Sequence, residues 1–152
     1  MSLKDRISAD IKAAMKAKDK VRLETVRGIK KALLEKEVSL RPSGQESLTE
    51  TQEIELLAQQ AKQRRESIEQ YRQAKRDDLV EKEAQELSII ETYLPKQLSK
   101  SEIEAVIEEI ITSVGATSPK DMGKVMGKAM AQLKGQADGR QVQEIVKAKL
   151  SN

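Results

Sequence analysis

The apolar residues of the chain recur at intervals of three and four, which is the spacing that one face of an α-helix presents. In the first 40 residues, two stripes of this kind consist of Leu3, Ile7, Ile11 and Met15, then Val26, Ile29 and Leu33. Between them stands Asp19, a residue type that caps helix N-termini. Turn-forming residues then cluster at 41–44. The pattern therefore predicts two helices followed by a loop over residues 39–48.

The same spacing predicts two further helices before Pro95. One begins at Thr49, and its apolar stripe includes Arg64, which is expected either to extend its charged end into solvent or to pair with a carboxylate. The other is expected to begin with Asp77 or Asp78 as its cap. It should end at Pro95, because the residue before a proline avoids helical backbone angles.

Beyond Pro95 the helix boundaries are marked by capping residues. Ser99 and Glu102 have the spacing of a capping box, and Gly115 is placed to end the helix that they begin. Two more helices with similar caps are predicted downstream, separated by Gly135. Each cap is worth about 1 kcal/mol, so these boundaries are better specified than those upstream.

The predicted fold is all-α and multihelical, because no segment shows the alternation typical of a β-strand. We expect an N-terminal helical hairpin or bundle over residues 1–94 and a compact three-helix part over residues 95–152. A chain of 152 residues is long enough for one domain or two small ones, which agrees with this division.

The composition removes much of the usual catalytic chemistry. The chain contains no His, Cys, Trp or Phe, and it has only two Tyr. It therefore lacks thiolate nucleophiles, His- or Cys-ligated metals and the side chain that most often transfers protons near neutral pH. The sequence contains neither a phosphate-binding loop nor a dinucleotide-binding motif. We expect no cofactor, no metal and no complete active site in this chain alone.

Charge is unevenly distributed, although the net charge is only +3. The net charge is +6 over residues 1–41, −5 over 42–94 and +2 over 95–152. The simplest interpretation is solvated helix faces, and the alternative is a polyanion-binding surface at one or both ends. The sequence contains no apolar run long enough to cross a membrane, and its first twenty residues lack the apolar core of a signal peptide. A cytoplasmic protein without a membrane partner is therefore expected.

Several motifs occur in a distinctive order. The C-terminal ones are Tyr93-Leu94-Pro95, Asp121-Met122-Gly123-Lys124-Val125-Met126-Gly127 and Gly135-Gln136-Ala137-Asp138-Gly139. The weaker upstream ones are Arg65-Glu66-Ser67-Ile68, with Tyr71, and Arg76-Asp77-Asp78-Leu79, with Glu83. Together they resemble the GatB/YqeY family, whose YqeY-like members are small stand-alone proteins. Those members usually have Gly where this chain has Lys75, and a left-handed helix terminus costs Lys about 1 kcal/mol or more.

The resemblance implies an all-helical, two-part fold whose C-terminal part is similar to the tail of the B subunit of tRNA-dependent amidotransferase. In that enzyme the tail holds tRNA, and the reaction amidates mischarged tRNA with ammonia from glutamine. The resemblance thus implies a link to tRNA and to carbon–nitrogen ligase activity with glutamine as the amido-N-donor. Because this chain lacks the catalytic motifs, we expect a tRNA-related binding module that is not catalytic alone. The expected partners are tRNA and an amidotransferase or other protein subunit.

Two sets of basic residues are candidates for RNA contact. The first set, in the C-terminal part, places three residues four apart on one helix face and two near the turn that follows: Lys120, Lys124, Lys128, Lys134 and Arg140. The second set lies in the N-terminal helices, where simple solvation is the favoured interpretation: Lys20, Arg27 and Lys31.

Glycines mark positions where another backbone can approach closely, and four are candidates: Gly123, Gly127, Gly135 and Gly139. For the first two we favour a tight helix–helix contact, because Val125 and Met126 flank them in a core pattern. The alternative is a bare helix face that meets a sugar–phosphate backbone. Both Tyr residues are expected to be structural, so recognition by base stacking is not expected.

The alternative function is a protein-interaction module that docks on another subunit through its acidic middle helices, within residues 42–94. Their carboxylates include Glu81, Glu83 and Glu86, whose spacing is typical of a solvated helix face. We do not expect these carboxylates to bind a metal, because surface carboxylates seldom converge without a shaped cavity.

Overall fold

The structure is a computed structural model that describes residues 1–151, and its regular elements there are helices. The seven α-helices of this range are α1 (Leu3–Ala17), α2 (Lys20–Leu40), α3 (Glu50–Gln73), α4 (Asp77–Glu91), α5 (Lys100–Val114), α6 (Met122–Gln132) and α7 (Gly139–Ser151). Single 3₁₀ turns occur at Arg41–Ser43 and Pro119–Asp121. The prediction of an all-α fold is confirmed.

The first of two compact units, Met1–Leu94, contains α1 to α4. In it α1 packs on α2, α3 packs on α4, and α2 also contacts both α3 and α4. Residues of the predicted stripes, together with Tyr93, supply the buried core of this unit, which consists of Ile7, Val26, Ile29, Leu33, Leu57, Ala61, Ile90 and Tyr93. Met15, at the end of the first stripe, is exposed, contrary to the prediction. Burying each large aliphatic side chain contributes about 1.5–3 kcal/mol.

Tyr93 fastens the end of α4 onto α1 within this first unit. Its hydroxyl donates a hydrogen bond to the Asp10 carboxylate, and the Arg6 guanidinium lies 5.0 Å from the centre of its ring. Arg6 also donates a hydrogen bond to the Thr92 carbonyl, 3.1 Å away. Burial, and then the bond to Asp10, raise the pKa of Tyr93.

Several helix boundaries differ from those that the sequence predicts. α2 runs to Leu40 and a 3₁₀ turn follows it, where a loop from residue 39 was expected. α4 ends at Glu91 and not at Pro95. The Thr92 hydroxyl donates to the Ile89 carbonyl, and the next residue turns inward to the core. The N-cap of α4 is Arg76, whose guanidinium binds Asp78 through two bonds of 3.1 and 3.0 Å.

The second unit begins at Pro95 and contains α5 to α7, which pack on one another pairwise. Its own buried core consists of Ile103, Ile107, Ile110, Val125, Ala129, Leu133, Val142, Ile145, Val146 and Leu150. The capping box of Ser99 and Glu102 forms as predicted, and Gly115 ends α5 in the left-handed conformation with φ of 67°. Local chemistry thus sets both ends of α5.

Candidate nucleic acid interface

The start of α6 is held by the Asp121 carboxylate. It accepts hydrogen bonds from the backbone N–H groups of Thr117 and Ser118, at 2.9 and 3.3 Å. These two donors hold the pKa of Asp121 below its ordinary value, because they favour the charged form. Val125 and Ala129 then bury one face of α6 in the core of the second unit. The opposite face is consequently fixed in orientation and open to solvent.

Three of the predicted lysines lie on this outer side of α6 or on the 3₁₀ turn that leads into it. Lys124 and Lys128 are exposed and one helical turn apart, which is about 6 Å along the axis. Lys120 is exposed on the preceding turn, Pro119–Asp121. The structure therefore brings Lys124 and Lys128 together on one face, with Lys120 before them in the chain.

Gly123 and Gly127 lie among these lysines, and both are exposed. A Cβ added at either glycine would meet no heavy atom of residues 1–151 within 4 Å beyond its chain neighbours and the local backbone of its own helix. The prediction of a tight helix–helix contact at this pair is therefore wrong. The flanking apolar residues pack inward, and the glycines lie on the other side of the helix. They leave a strip of accessible backbone beside positive charge.

The other two glycines serve the connection between α6 and α7. Gly135 adopts φ of 75°, a left-handed angle that suits glycine. Its carbonyl accepts a hydrogen bond of 2.6 Å from the Gln97 side chain. At Gly139 an added Cβ would lie 3.3 Å from the Met130 Cε, so backbone and side chain approach closely there.

Lys134 and Arg140 lie at the two ends of the same connection and do not extend the α6 row. Lys134 lies two residues beyond the last residue of α6, and Arg140 is the second residue of α7. Both are exposed, and the Arg140 backbone N–H donates to the Asp138 carboxylate at 3.4 Å. The five predicted residues thus form one row on and before α6 plus a separate pair at its far end.

The second predicted patch lies on one helix, α2. Lys20, Arg27 and Lys31 are all exposed there. Two exposed apolar side chains, Leu34 and Val38, continue the same side of α2 toward its C-terminus. This face therefore combines charge with apolar surface, which the sequence-based interpretation of a solvated patch does not include.

The acidic middle helices use two carboxylates internally. Arg64 of α3 binds Glu83 of α4 at 3.1 Å and Glu86 at 2.9 Å. Glu86 is only 9% exposed, so the expectation of a solvated face is wrong for this residue. Arg64 pairs with carboxylates, which was one of its two expected roles. No group of three acidic side chains within residues 1–151 is arranged to hold a metal ion.

None of the helices within residues 1–151 combines the length and the apolar character that a membrane span requires.

The fold and the α6 surface define a class: a small all-helical protein of two units, in which a helix of the second presents lysines and bare glycine backbone. The family model described as Yqey-like protein matches residues 4–150, and the chain belongs to this family. The family resemblance that the motifs indicated is confirmed.

Three fungal relatives carry the name "Altered inheritance of mitochondria protein 41, mitochondrial". The Kluyveromyces lactis protein is 36% identical over 116 residues, covering 74% of this chain and 60% of that protein. The Lachancea thermotolerans protein is 30% identical, covering 95% of this chain and 76% of that protein. The Pyrenophora tritici-repentis protein is 32% identical, with coverages of 95% and 81%. The chain thus spans three fifths of the first relative and more of the other two.

The names of these relatives contradict the prediction of a cytoplasmic protein. That prediction rested on the absence of a long apolar run and of a signal-peptide core. Such an absence does not distinguish one compartment from another.

Proposed function

We propose that this chain is an RNA-binding helical module that holds structured RNA, such as tRNA, by its sugar–phosphate backbone. The observation that carries the proposal is the α6 surface, where Lys124 and Lys128 lie beside exposed Gly123 and Gly127. Lysines neutralise phosphates and release counterions, which favours binding. A helix without side chains at two positions lets a ribose–phosphate chain come within contact of the helix backbone.

The positions of the basic residues support a binding role over a stabilising one. Lys124 lies in the first turn of α6 and Arg140 in the first turn of α7. A helix N-terminus carries partial positive charge, so cations there cost about 0.3–1 kcal/mol each. The same N-terminal N–H groups favour phosphate. Basic residues in the first turn of α6 and in the first turn of α7 therefore oppose helix stability and favour an anionic ligand.

Recognition by shape and charge fits the few aromatic residues. Tyr93 is 6% exposed and its hydroxyl is bonded to Asp10, and Tyr71 is only partly exposed. Neither presents a free ring on which an unpaired base could stack. The preferred ligand is consequently a folded RNA rather than a single strand.

The link to amidotransferases belongs to this proposal as an accessory role. A chain without His, Cys or a phosphate-binding loop is unsuited to release ammonia from glutamine and activate an acceptor carboxylate by itself. Incubation of the purified chain with glutamine, ATP, Mg²⁺ and mischarged tRNA should yield no amidated product. Formation of amidated tRNA would refute the accessory role.

A filter-binding titration with bulk tRNA over a range of salt concentrations tests the binding proposal. We expect the affinity to fall with salt, with a slope of about 0.7–0.9 in log–log form per phosphate contact. The Lys124→Gln, Lys128→Gln variant should weaken binding and reduce the slope by about 1.4–1.8. Lys12→Gln, Lys16→Gln is the matched control, because these exposed lysines of α1 have the same spacing. Equal loss in both variants, or no salt-sensitive binding at micromolar protein, would refute the proposal.

A further inference from the structure

The outward side of α2 carries a seam of four exposed side chains. Arg27, Lys31, Leu34 and Val38 are spaced by four, three and four residues, as the a and d positions of a two-helix coiled coil are. Leu34 is 44% exposed and Val38 54% exposed, although the buried side of α2 already fills the core of its unit. α2 therefore exposes two apolar side chains on the side turned away from the core of its unit.

A shallow groove of about 470 Å³ follows this seam. The six side chains that line it are Arg27, Lys30, Lys31, Leu34, Glu35 and Val38. On the helix surface these side chains form two adjoining groups of four, each with its members at positions i, i+3, i+4 and i+7 in a diamond arrangement. The first diamond consists of residues 27, 30, 31 and 34, and the second of residues 31, 34, 35 and 38. Such a diamond is the hole into which one side chain of a facing α-helix inserts. The lining of the groove therefore has the geometry that can receive the side chains of a facing helix.

The charges around the groove indicate the chemistry of that helix. The groove has three cations and one carboxylate, and Glu35 lies 3.9 Å from the Lys31 ammonium. A second copy of α2 fits poorly, because an antiparallel pairing centred on Leu34 sets Arg27 against Arg41. RNA fits poorly too, because Leu34 and Val38 offer nothing to a phosphate. An acidic helix with apolar side chains opposite Leu34 and Val38 satisfies both features.

We propose that this α2 face, Arg27 to Val38, is a docking site for an acidic amphipathic helix of a partner protein. The site belongs to the first unit and the α6 surface to the second. It differs from docking through the acidic middle helices because its charge has the opposite sign.

The test uses a synthetic 21-residue helical peptide with Leu at alternating four- and three-residue spacing, flanked by Glu, and labelled for fluorescence anisotropy. Two control peptides are a scrambled one of identical composition and one with Lys in place of every Glu. Binding of the first at least tenfold tighter than binding of either control supports the site. Equal binding of the scrambled peptide, or no binding of the first peptide at 200 μM, would overturn it.

Variants of the protein locate the binding on α2. Leu34→Ser, Val38→Ser and, separately, Arg27→Glu, Lys31→Glu should each weaken peptide binding at least tenfold, whereas Leu34→Met should leave it within twofold. Lys12→Glu, Lys16→Glu is the charge control on α1 and should have less than a threefold effect. Circular dichroism verifies folding of each variant; these positions are exposed, so the fold should be retained. Unchanged binding in the seam variants would overturn the proposal. So would a dimer in sedimentation that Leu34→Ser, Val38→Ser dissociates, or complete displacement of the peptide by tRNA.

Discussion

Replacing the two bare glycines of α6 by alanine should stabilise the protein and weaken RNA binding. Gly127 lies in the middle of an eleven-residue helix, where Gly is about 0.8–1 kcal/mol less favourable than Ala. Gly123 is the second residue of α6, so its contribution is smaller, about 0.5 kcal/mol. Within residues 1–151, neither added methyl group would come within 4 Å of another heavy atom, apart from its two chain neighbours and the nearby backbone of α6 itself. The free energy of unfolding of the double variant should therefore rise by about 1.3–1.5 kcal/mol.

The same methyl groups lie where a sugar–phosphate chain would approach the helix. Each keeps an approaching backbone farther from α6, and we expect tRNA affinity to fall about tenfold, which corresponds to about 1.4 kcal/mol. Urea unfolding followed by circular dichroism measures the first effect, and the filter-binding titration measures the second. A gain in stability together with a loss of tRNA affinity would indicate that the two glycines serve ligand binding and not the stability of the fold.

Gly28→Ala is the matched control for this pair. Gly28 also lies in a helix interior and is exposed. Within residues 1–151, a Cβ added there would come within 4 Å of no heavy atom apart from its chain neighbours and the nearby backbone of α2. It should stabilise the first unit by a similar amount and leave tRNA affinity unchanged. Destabilisation by Gly127→Ala would contradict the open α6 face. Stabilisation with unchanged tRNA affinity would remove these glycines from the proposed RNA-binding surface.

Three further outcomes are expected. Lys75→Gly should stabilise the protein by about 0.5–1 kcal/mol in urea unfolding, because Lys75 has φ of 57°; a loss would contradict the strain there. Ile107→Ala should cost about 3 kcal/mol, since Ile107 is fully buried, and a cost under 1 kcal/mol would contradict this packing. Hydrogen bonds from the backbone and the hydroxyl of Ser99 lower the pKa of Glu102. The charged Glu102 side chain therefore stabilises the fold at pH values above its ordinary pKa of 4.5, and this contribution is lost as the pH falls through the pKa of the folded state. In Glu102→Gln, the urea midpoint should fall less steeply as the pH is lowered through this range. An equally steep fall would contradict this role of Glu102.

The helices were predictable because their signals are local. The Ser99–Glu102 box and the left-handed Gly115 involve residues three or four apart in the chain, and apolar spacing identified which faces turn inward. The expected left-handed strain at Lys75 is likewise present. These features depend on backbone geometry that a short segment determines by itself.

Features that depend on a second element were less accessible to prediction. Glu86 is buried because Arg64, from another helix, lies beside it, and the spacing of Glu86 alone is that of a surface residue. Whether Gly127 contacts a helix or solvent depends on where α5 and α7 lie. The end of α4 at Glu91 accompanies the inward turn of Tyr93, which binds a residue 83 positions earlier.

The hydrogen bonds that follow Pro95 bear on how the protein can be divided for experiments. Gln97 binds the Gly135 carbonyl, and the Leu98 backbone N–H donates to the Gln136 carbonyl at 2.9 Å. The residues between Pro95 and α5 thus donate hydrogen bonds to the turn that connects α6 and α7. A fragment that begins at α5 would leave that turn without these partners, whereas one that begins at Pro95 keeps them. The smallest piece suited to RNA-binding measurements therefore starts with residues that belong to no helix.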